Sequence, residues 1–340
     1  MIDTKANSQL NHHVAGPRNA IAEAQTLIHD DLMQVEQHLR ALPGLQPESL
    51  RNAVEIIVAS GGKRIRPIIT LLVAGMMGHA QSSRLIYLAS AAEMLHTSSL
   101  VHDDLIDGSL VRRGAATLNA VWTPAATVLT GDYLFSYAAG LAAKTNSVRV
   151  MSIFADTLGV IVGGELQQQF TDFALRSTRE DYYRRIYAKT GSLFVLATTA
   201  AGVLTDATEA QIHSLDDFGR ELGNAFQVVD DILDFTGDQA SVGKPVGSDL
   251  RRGLITLPTI YYKERHADDT DLDCALKGEC EPEVYDTLIS KIRHSDAIRA
   301  AADEAATMAT NAKHALGAFP HNAYRDALMD LADYTVSRTV

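Results

Sequence analysis

Six aspartates carry the first chemical signal: Asp103-Asp104-x-x-Asp107 and Asp230-Asp231-x-x-Asp234 repeat one spacing. On a helix, residues i and i+4 lie one above the other, so each motif projects two carboxylates from one face with Cβ atoms about 5–6 Å apart. Like charges so placed repel and weaken a helix, so a motif that keeps them points to a cation between the carboxylates. Carboxylate oxygens, with phosphate oxygens completing the shell, are a common way to hold Mg²⁺. The flanks are apolar: Leu100, Val101, Leu105 and Ile106 around the first motif, Val228, Val229, Ile232 and Leu233 around the second. Carboxylates set in buried helices are costly unless a metal or a basic group pairs with them. Other acidic runs serve as controls. Asp30-Asp31 and Asp216-Asp217 lack the third carboxylate four positions after the first, and Asp268-Asp269-Thr270-Asp271 lies in a polar stretch; all three are assigned to solvent.

Basic residues accompany both motifs. Ser60-Gly61-Gly62-Lys63-Arg64-Ile65-Arg66-Pro67 places bare backbone amides and three cations just before a helix, a favourable setting for an anion. Arg112-Arg113-Gly114 follows the first motif, Lys189-Thr190-Gly191 interrupts a helical run, and Gly243-Lys244-Pro245 follows the second motif. The planar fork of arginine suits phosphate oxygens, and lysine adds a compact charge.

Helices must position these groups. Ile28, Leu32, Val35, Leu39 and Leu42 form one apolar stripe on a helix that stops at Pro43-Gly44. Further periodic segments run roughly over 47–60, 66–78, 82–106, 125–143, 147–174, 179–204, 208–236 and 254–265, with shorter helices beyond 280 ending in Tyr324–Arg338. No alternating strand and no hairpin signal stands out, so the expected class is all-α. No linker divides the chain. Thr236–Gly253 reads as a loop over the site and His266–Glu281 as an exposed connection, giving a flexible tail over 1–17 and a single domain over 18–340.

Bulk properties narrow the function classes. With 46% hydrophobic and 21% charged residues, the 340-residue chain can bury a large core. A net charge of −12 argues against a nucleic-acid partner. Cys274 and Cys280 are read as two structural thiols of a reduced, cytoplasmic protein. The N-terminal stretch lacks an apolar signal-like core. No transmembrane segment is expected, and Leu129–Ala143 and Ile153–Gly164 are read as buried core helices.

Together these residues make the sequence resemble the trans-isoprenyl diphosphate synthases, or polyprenyl synthetases, over about residues 20–340. The resemblance rests on Gly61 to Pro67, His96 to Asp107, Arg112-Arg113-Gly114, Gly131-Asp132-Tyr133-Leu134, Lys189-Thr190-Gly191, Gln227 to Asp234 and Gly243 to Leu250. It implies a helical bundle around a deep central cavity, normally a homodimer, with release of product at a membrane surface as a further expectation. It implies that Asp103, Asp104, Asp107, Asp230, Asp231 and Asp234 hold about three Mg²⁺ ions, with Mn²⁺ as the substitute. Lys63, Arg66, His96 and Arg113 match the isopentenyl diphosphate site; Arg112, Lys189, Thr190, Gln227 and Lys244 match the residues that hold the allylic diphosphate.

The chemistry expected is ionisation of the allylic diphosphate, attack on the resulting cation by isopentenyl diphosphate, and loss of a proton. No His or Glu stands out as the base, which leaves the released diphosphate as the acceptor, as in the family. Product length is read from the helix below the first motif. Ser99 lies one turn before Asp103 with Ser98 beside it, and Leu95 and Ala92 continue downwards, so no aromatic floors the cavity there. Phe154 is the candidate for a deeper floor. A medium or long all-trans polyprenyl diphosphate is therefore expected, with geranylgeranyl or farnesyl diphosphate as the alternative. A class I terpene cyclase would pair the first motif with an Asn/Asp-x-x-Ser/Thr-x-x-x-Glu site, and a non-catalytic partner subunit typically loses one motif. Neither pattern fits the second aspartate triad.

Overall fold

The computed structural model describes residues 20–338 apart from 45, 60, 61, 113, 171–177, 238–244 and 279. The expected tail over 1–17 and the site candidates Arg113 and Lys244 lie outside the described residues. What is described is almost entirely helical, as the periodicity predicts.

The helix carrying the first motif, Ser83–Ile106, is buried on every side, from Leu85 and Leu88 through Ala91, Ala92 and Leu95 to Val101. A helix without a polar face belongs at the centre. Pro124–Ala143, Ile65–Met76, His29–Ala41 and Ser192–Leu204 pack around it. Close approach by Pro124–Ala143 depends on Gly131: a Cβ there would come within 2.4 Å of the His102 ring. The Ser98 hydroxyl seals the same crossing by donating to the Gly131 carbonyl at 2.7 Å.

The helix of the second motif, Glu209–Thr236, starts at a Thr208/Gln211 capping box. Its first half (Leu215, Phe218, Leu222) joins the hydrophobic cluster around the first aspartate helix. Its second half (Val228, Val229, Ile232, Phe235) joins another cluster with Leu257, Ile260, Leu288 and Ile292. One rod therefore pins both ends of the molecule and brings the second motif up to the first.

Several expectations need correction. A two-stranded ribbon, Val111–Arg112 against Ala115–Ala116, turns the chain after the first motif. It is too short to show alternation, and Gly114 at φ +77° makes the turn. The stretch 266–281 holds a helix, Thr270–Lys277, because Asp269 caps its first amides. Asp269 also pairs with Lys291 at 2.9 Å, so it is not a solvated acid. Nor is Asp31, which is 6% exposed and accepts from the Gln81 amide at 3.0 Å. Cys274 and Cys280 are joined as a disulfide rather than standing as thiols, since the turn at Gly278 brings their Cα atoms to 5.5 Å.

The stretches read as buried core, Leu129–Ala143 and Ile153–Gly164, are only partly so. Val148–Phe170, which holds the second of them, and the run Arg179–Leu204 are both long and apolar enough to cross a membrane by length and composition. In their most apolar 18-residue stretches, 22% of the residues are buried in the first and 83% in the second. Val150, Phe154, Thr157 and Ile161 face inward at helical spacing, while Val162, Leu166 and Phe170 are bare. Pro124–Ala143 likewise buries one face and exposes Val128 and Leu129. The sequence shows how apolar these helices are, but not which of their sides the same chain covers.

Candidate active site

The two aspartate helices, the Gly62–Arg66 turn and the Lys189-Thr190 segment enclose a cavity of about 440 Å³. Its wall brings together Lys63, Arg66, His96, Ser99, Asp103, Arg112, Lys189, Thr190, Gln227 and Asp230, ten of the residues singled out in the sequence.

The basic turn is set by a residue whose guanidinium is held by partners within the protein. Arg64 sits at φ +52° and is buried. Its guanidinium donates to Glu36 at 2.5 Å, Glu93 at 3.2 Å and the Val58 carbonyl at 2.5 Å. Inward rotation of Arg64 leaves Lys63 and Arg66 facing the cavity. Lys63 reaches the Tyr334 hydroxyl, and Arg66 stacks over Phe194.

Lys189 and Thr190 lie in a π-helical turn, Tyr187–Gly191, inserted between Arg179–Ile186 and Ser192–Leu204. Such single wide turns recur at functional sites because they re-aim side chains within an otherwise regular rod. Here the Lys189 ammonium lies 3.1 Å from Asp103 and 2.8 Å from Glu165. Burial alone would lower the pKa of Lys189, but the Asp103 and Glu165 carboxylates outweigh it and raise it.

Each of the six aspartates has a defined protein partner, and the partners differ in kind. Asp104 pairs with Arg112 at 2.8 Å and Asp107 with Arg252 at 3.1 Å. Asp230 pairs with Arg338 at 3.0 Å, whose guanidinium also covers the Phe226 ring. Asp231 accepts from the Tyr182 hydroxyl at 2.7 Å and from Gln227 at 2.9 Å. Asp234 accepts from the Ser248 hydroxyl and from the Ser248 and Asp249 amides, fixing the first turn of Ser248–Arg251. Of the six, Asp103 and Asp230 line the large cavity. Burial holds the pKa values of Asp103 and Asp230 above the ordinary carboxylate range, against the lowering pull of Lys189 and Arg338 respectively. Burial, with the Asp249 charge adding to it, pushes Asp231 up to about 7 and raises Asp234 as well.

Among the described residues no three acidic or histidine groups are gathered closely enough to form a ready metal centre. The donor set nevertheless suits a hard divalent ion, since the cavity presents carboxylates raised in pKa by desolvation, which a cation would relieve.

Two length candidates sit apart from the cavity. Ser98 is fully buried and faces Gly131, and Phe154 is 3% exposed within the main hydrophobic cluster. Arg338, Arg252, Glu165 and Tyr182 were missed in the sequence. Arg252 and Arg338 come from loop and C-terminal positions with no local motif, and Tyr182 and Glu165 carry no spacing that ties them to an aspartate.

An all-α bundle whose central cavity is walled by two aspartate-bearing helices and a ring of cations defines the class: an enzyme of the isoprenoid synthase fold. The polyprenyl synthetase family model matches residues 47–292, and the chain belongs to that family. Octaprenyl diphosphate synthase of Haemophilus influenzae is 36% identical over 94% of this chain and 97% of its own. Heptaprenyl diphosphate synthase component 2 of Geobacillus stearothermophilus is 34% identical over 92% and 97%. The polyprenyl synthase of Caulobacter crescentus, solved with calcium and isoprenyl diphosphate, superposes with a TM-score of 0.87 at 35% identity, covering 94% of this chain and 98% of that one. The chain is thus a prenyltransferase of the polyprenyl diphosphate synthase type.

Proposed function

We propose that this enzyme condenses isopentenyl diphosphate with an allylic diphosphate primer, repeatedly, to a medium or long all-trans polyprenyl diphosphate. The observation that carries the reading is the single cavity shared by Asp103, Asp230, Lys63, Arg66, Arg112 and Lys189. It gathers several cations around one space, as two diphosphates require. Lys63, Arg66 and His96 bind the isopentenyl diphosphate, together with Arg113. Arg112, Lys189, Thr190 and Gln227 hold the allylic diphosphate, together with Lys244. Asp103, Asp107 and Asp230, with Asp104 beside them, would hold Mg²⁺, which would supply Lewis-acid stabilisation of the departing diphosphate. Lys189 and Arg112 add positive charge at the same place, once released from their carboxylate partners. Ser99, a small residue on the cavity wall, supports a medium or long product.

The bare apolar sides of Val148–Phe170 and Pro124–Ala143 support assembly as a homodimer, with a second copy covering Val128, Leu129, Val162 and Leu166. A relative named as a component favours one other arrangement, a dissimilar second subunit. Release of the product at a membrane surface completes the proposal.

The test is to incubate the purified protein alone with isopentenyl diphosphate, graded allylic primers and Mg²⁺, and to resolve the products by chromatography. Products longer than geranylgeranyl diphosphate are expected. Geranylgeranyl diphosphate as the sole product would refute the length assignment. Activity only after adding a second protein would refute the homodimer, as would a monomeric mass by light scattering.

A further inference from the structure

Tyr182 is 1% exposed and was not picked out by any motif. Its hydroxyl donates to Asp231 at 2.7 Å. The other Asp231 oxygen accepts from the Gln227 amide at 2.9 Å, and the Gln227 carbonyl oxygen accepts from the Thr190 hydroxyl at 2.7 Å. Tyr182 and Thr190 belong to one continuous helical rod, on either side of the start of the π turn. Gln227 and Asp231 stand one turn apart on the second aspartate helix. The four side chains therefore close a circuit: up one helix, across at Thr190, down the other, and back at Tyr182.

We infer that Tyr182 is a positioning residue for the allylic diphosphate end of the site, acting through Asp231, and that Asp231 anchors this circuit rather than holding metal. Three observations carry this. Both Asp231 oxygens are taken by uncharged donors from within the protein, whereas the motif's cavity-facing carboxylate, Asp230, meets a cation, Arg338. Asp231 is 3% exposed and does not line the large cavity. The π turn also places Lys189 and Thr190 on the cavity wall. Fastening the rod to the second helix at both Tyr182 and Thr190 holds that turn in place. Since the Gln227 nitrogen donates to Asp231, its amide oxygen is turned toward the Thr190 hydroxyl. Thr190 and Gln227 are then held in one orientation toward the diphosphate.

The inference rests on the proposed assignment of Thr190 and Gln227 to the allylic substrate. Its test uses Tyr182→Phe and Asp231→Asn in the full-length protein, with KM for each substrate, kcat, the half-activating Mg²⁺ concentration and thermal unfolding all measured. Tyr182→Phe should raise the allylic KM about tenfold, the loss expected for one hydrogen bond to a charged group, with the isopentenyl diphosphate KM unchanged. Asp231→Asn turns one acceptor oxygen into a donor, so either the Tyr182 or the Gln227 contact must reverse; it should raise the allylic KM while holding the Mg²⁺ requirement within about twofold. A wild-type allylic KM in Tyr182→Phe overturns the positioning role, and a Mg²⁺ requirement raised about tenfold in Asp231→Asn returns Asp231 to the metal set. If Tyr182→Phe fails to fold, the Asp231→Asn titration decides alone. Failure of the wild-type protein to form any prenyl product in the same assay refutes the functional reading instead, and so is distinguishable.

Discussion

Replacing Asp103 by alanine should all but abolish turnover while leaving the fold in place, and the structure sets both magnitudes. Asp103 is 7% exposed, and burial raises its pKa despite Lys189, so its charge is held at a cost to stability. Its removal takes one partner from Lys189, which keeps Glu165 at 2.8 Å and an accessible side of the cavity. Loss of a pair and relief of desolvation oppose each other, so the net change in stability should stay at about 1 kcal/mol, or about 1–2 °C in Tm for a chain of this length. The catalytic loss has no such compensation. Removing one preorganised stabiliser of developing charge costs about 100- to 1,000-fold in kcat, and a weakened metal site adds several kcal/mol more. Incorporation of labelled isopentenyl diphosphate at saturating Mg²⁺ should therefore fall at least about a thousandfold. Activity within about tenfold of wild type, in a variant with unchanged unfolding temperature, would refute the reasoning.

Other expectations follow from placement and burial. Ser99→Phe puts a ring into the cavity one turn below Asp103 and should shorten the products; an unchanged chromatographic profile would reject Ser99 as part of the wall. Phe154→Ala should cost about 3–5 kcal/mol of stability, since the side chain is buried in the main cluster, and should lengthen the products if that space continues the cavity. Unaltered product length in that variant would leave Phe154 a packing residue only. Stability should also depend on pH through Asp231. Its pKa rises from 3.8 to about 7 on folding, so the folded chain binds the proton more tightly than the unfolded one. That stabilisation is complete below about pH 4 and is lost as pH climbs toward 7, so Asp231→Asn should gain in unfolding temperature relative to wild type over that window. In chelator-treated protein, a difference that stays constant from pH 5 to pH 7.5 would contradict the assignment. Asp269 runs the other way: despite opposing desolvation, Lys291 and other hydrogen-bond donors hold it down to about 2, and its contribution should be lost as pH falls below about 4.

The sequence is an uneven guide to this molecule, for physical reasons. Helix positions were legible because burying one stripe forces a period of 3.6, and the expected spans 82–106, 125–143 and 208–236 match Ser83–Ile106, Pro124–Ala143 and Glu209–Thr236 closely. The cavity-lining cations were legible because Lys63, Arg66, Arg112 and Lys189 sit beside glycines or motif aspartates. Direction was not legible. Asp103 and Asp231 look alike in their motifs, yet one meets a lysine at the cavity and the other a buried tyrosine. Asp31 looked like a solvated acid because its partner, the Gln81 amide, is a backbone group fifty positions away. Arg338 shows the same limit, since only the folded chain brings a C-terminal arginine against Asp230. Periodicity also misread Val148–Phe170, because apolar character is the same whether a helix is covered by its own chain or by another.

The ion pairs made by the motif aspartates have a consequence for how the enzyme responds to its ligands. Asp103 with Lys189, Asp107 with Arg252 and Asp230 with Arg338 are each a carboxylate proposed for metal, or placed beside one, satisfied by a base. Under the proposed chemistry, a divalent ion must displace these bases from the carboxylates, and a diphosphate must draw the same bases away. Each ligand thus does part of the other's work. Linkage makes that reciprocal: diphosphate tightens the binding of metal by the same factor that metal tightens the binding of diphosphate. Such a site discriminates against either component alone. Free Mg²⁺ finds its ligands engaged, stray anions find the cations engaged, and full occupancy belongs to the metal–diphosphate combination from which the reaction starts.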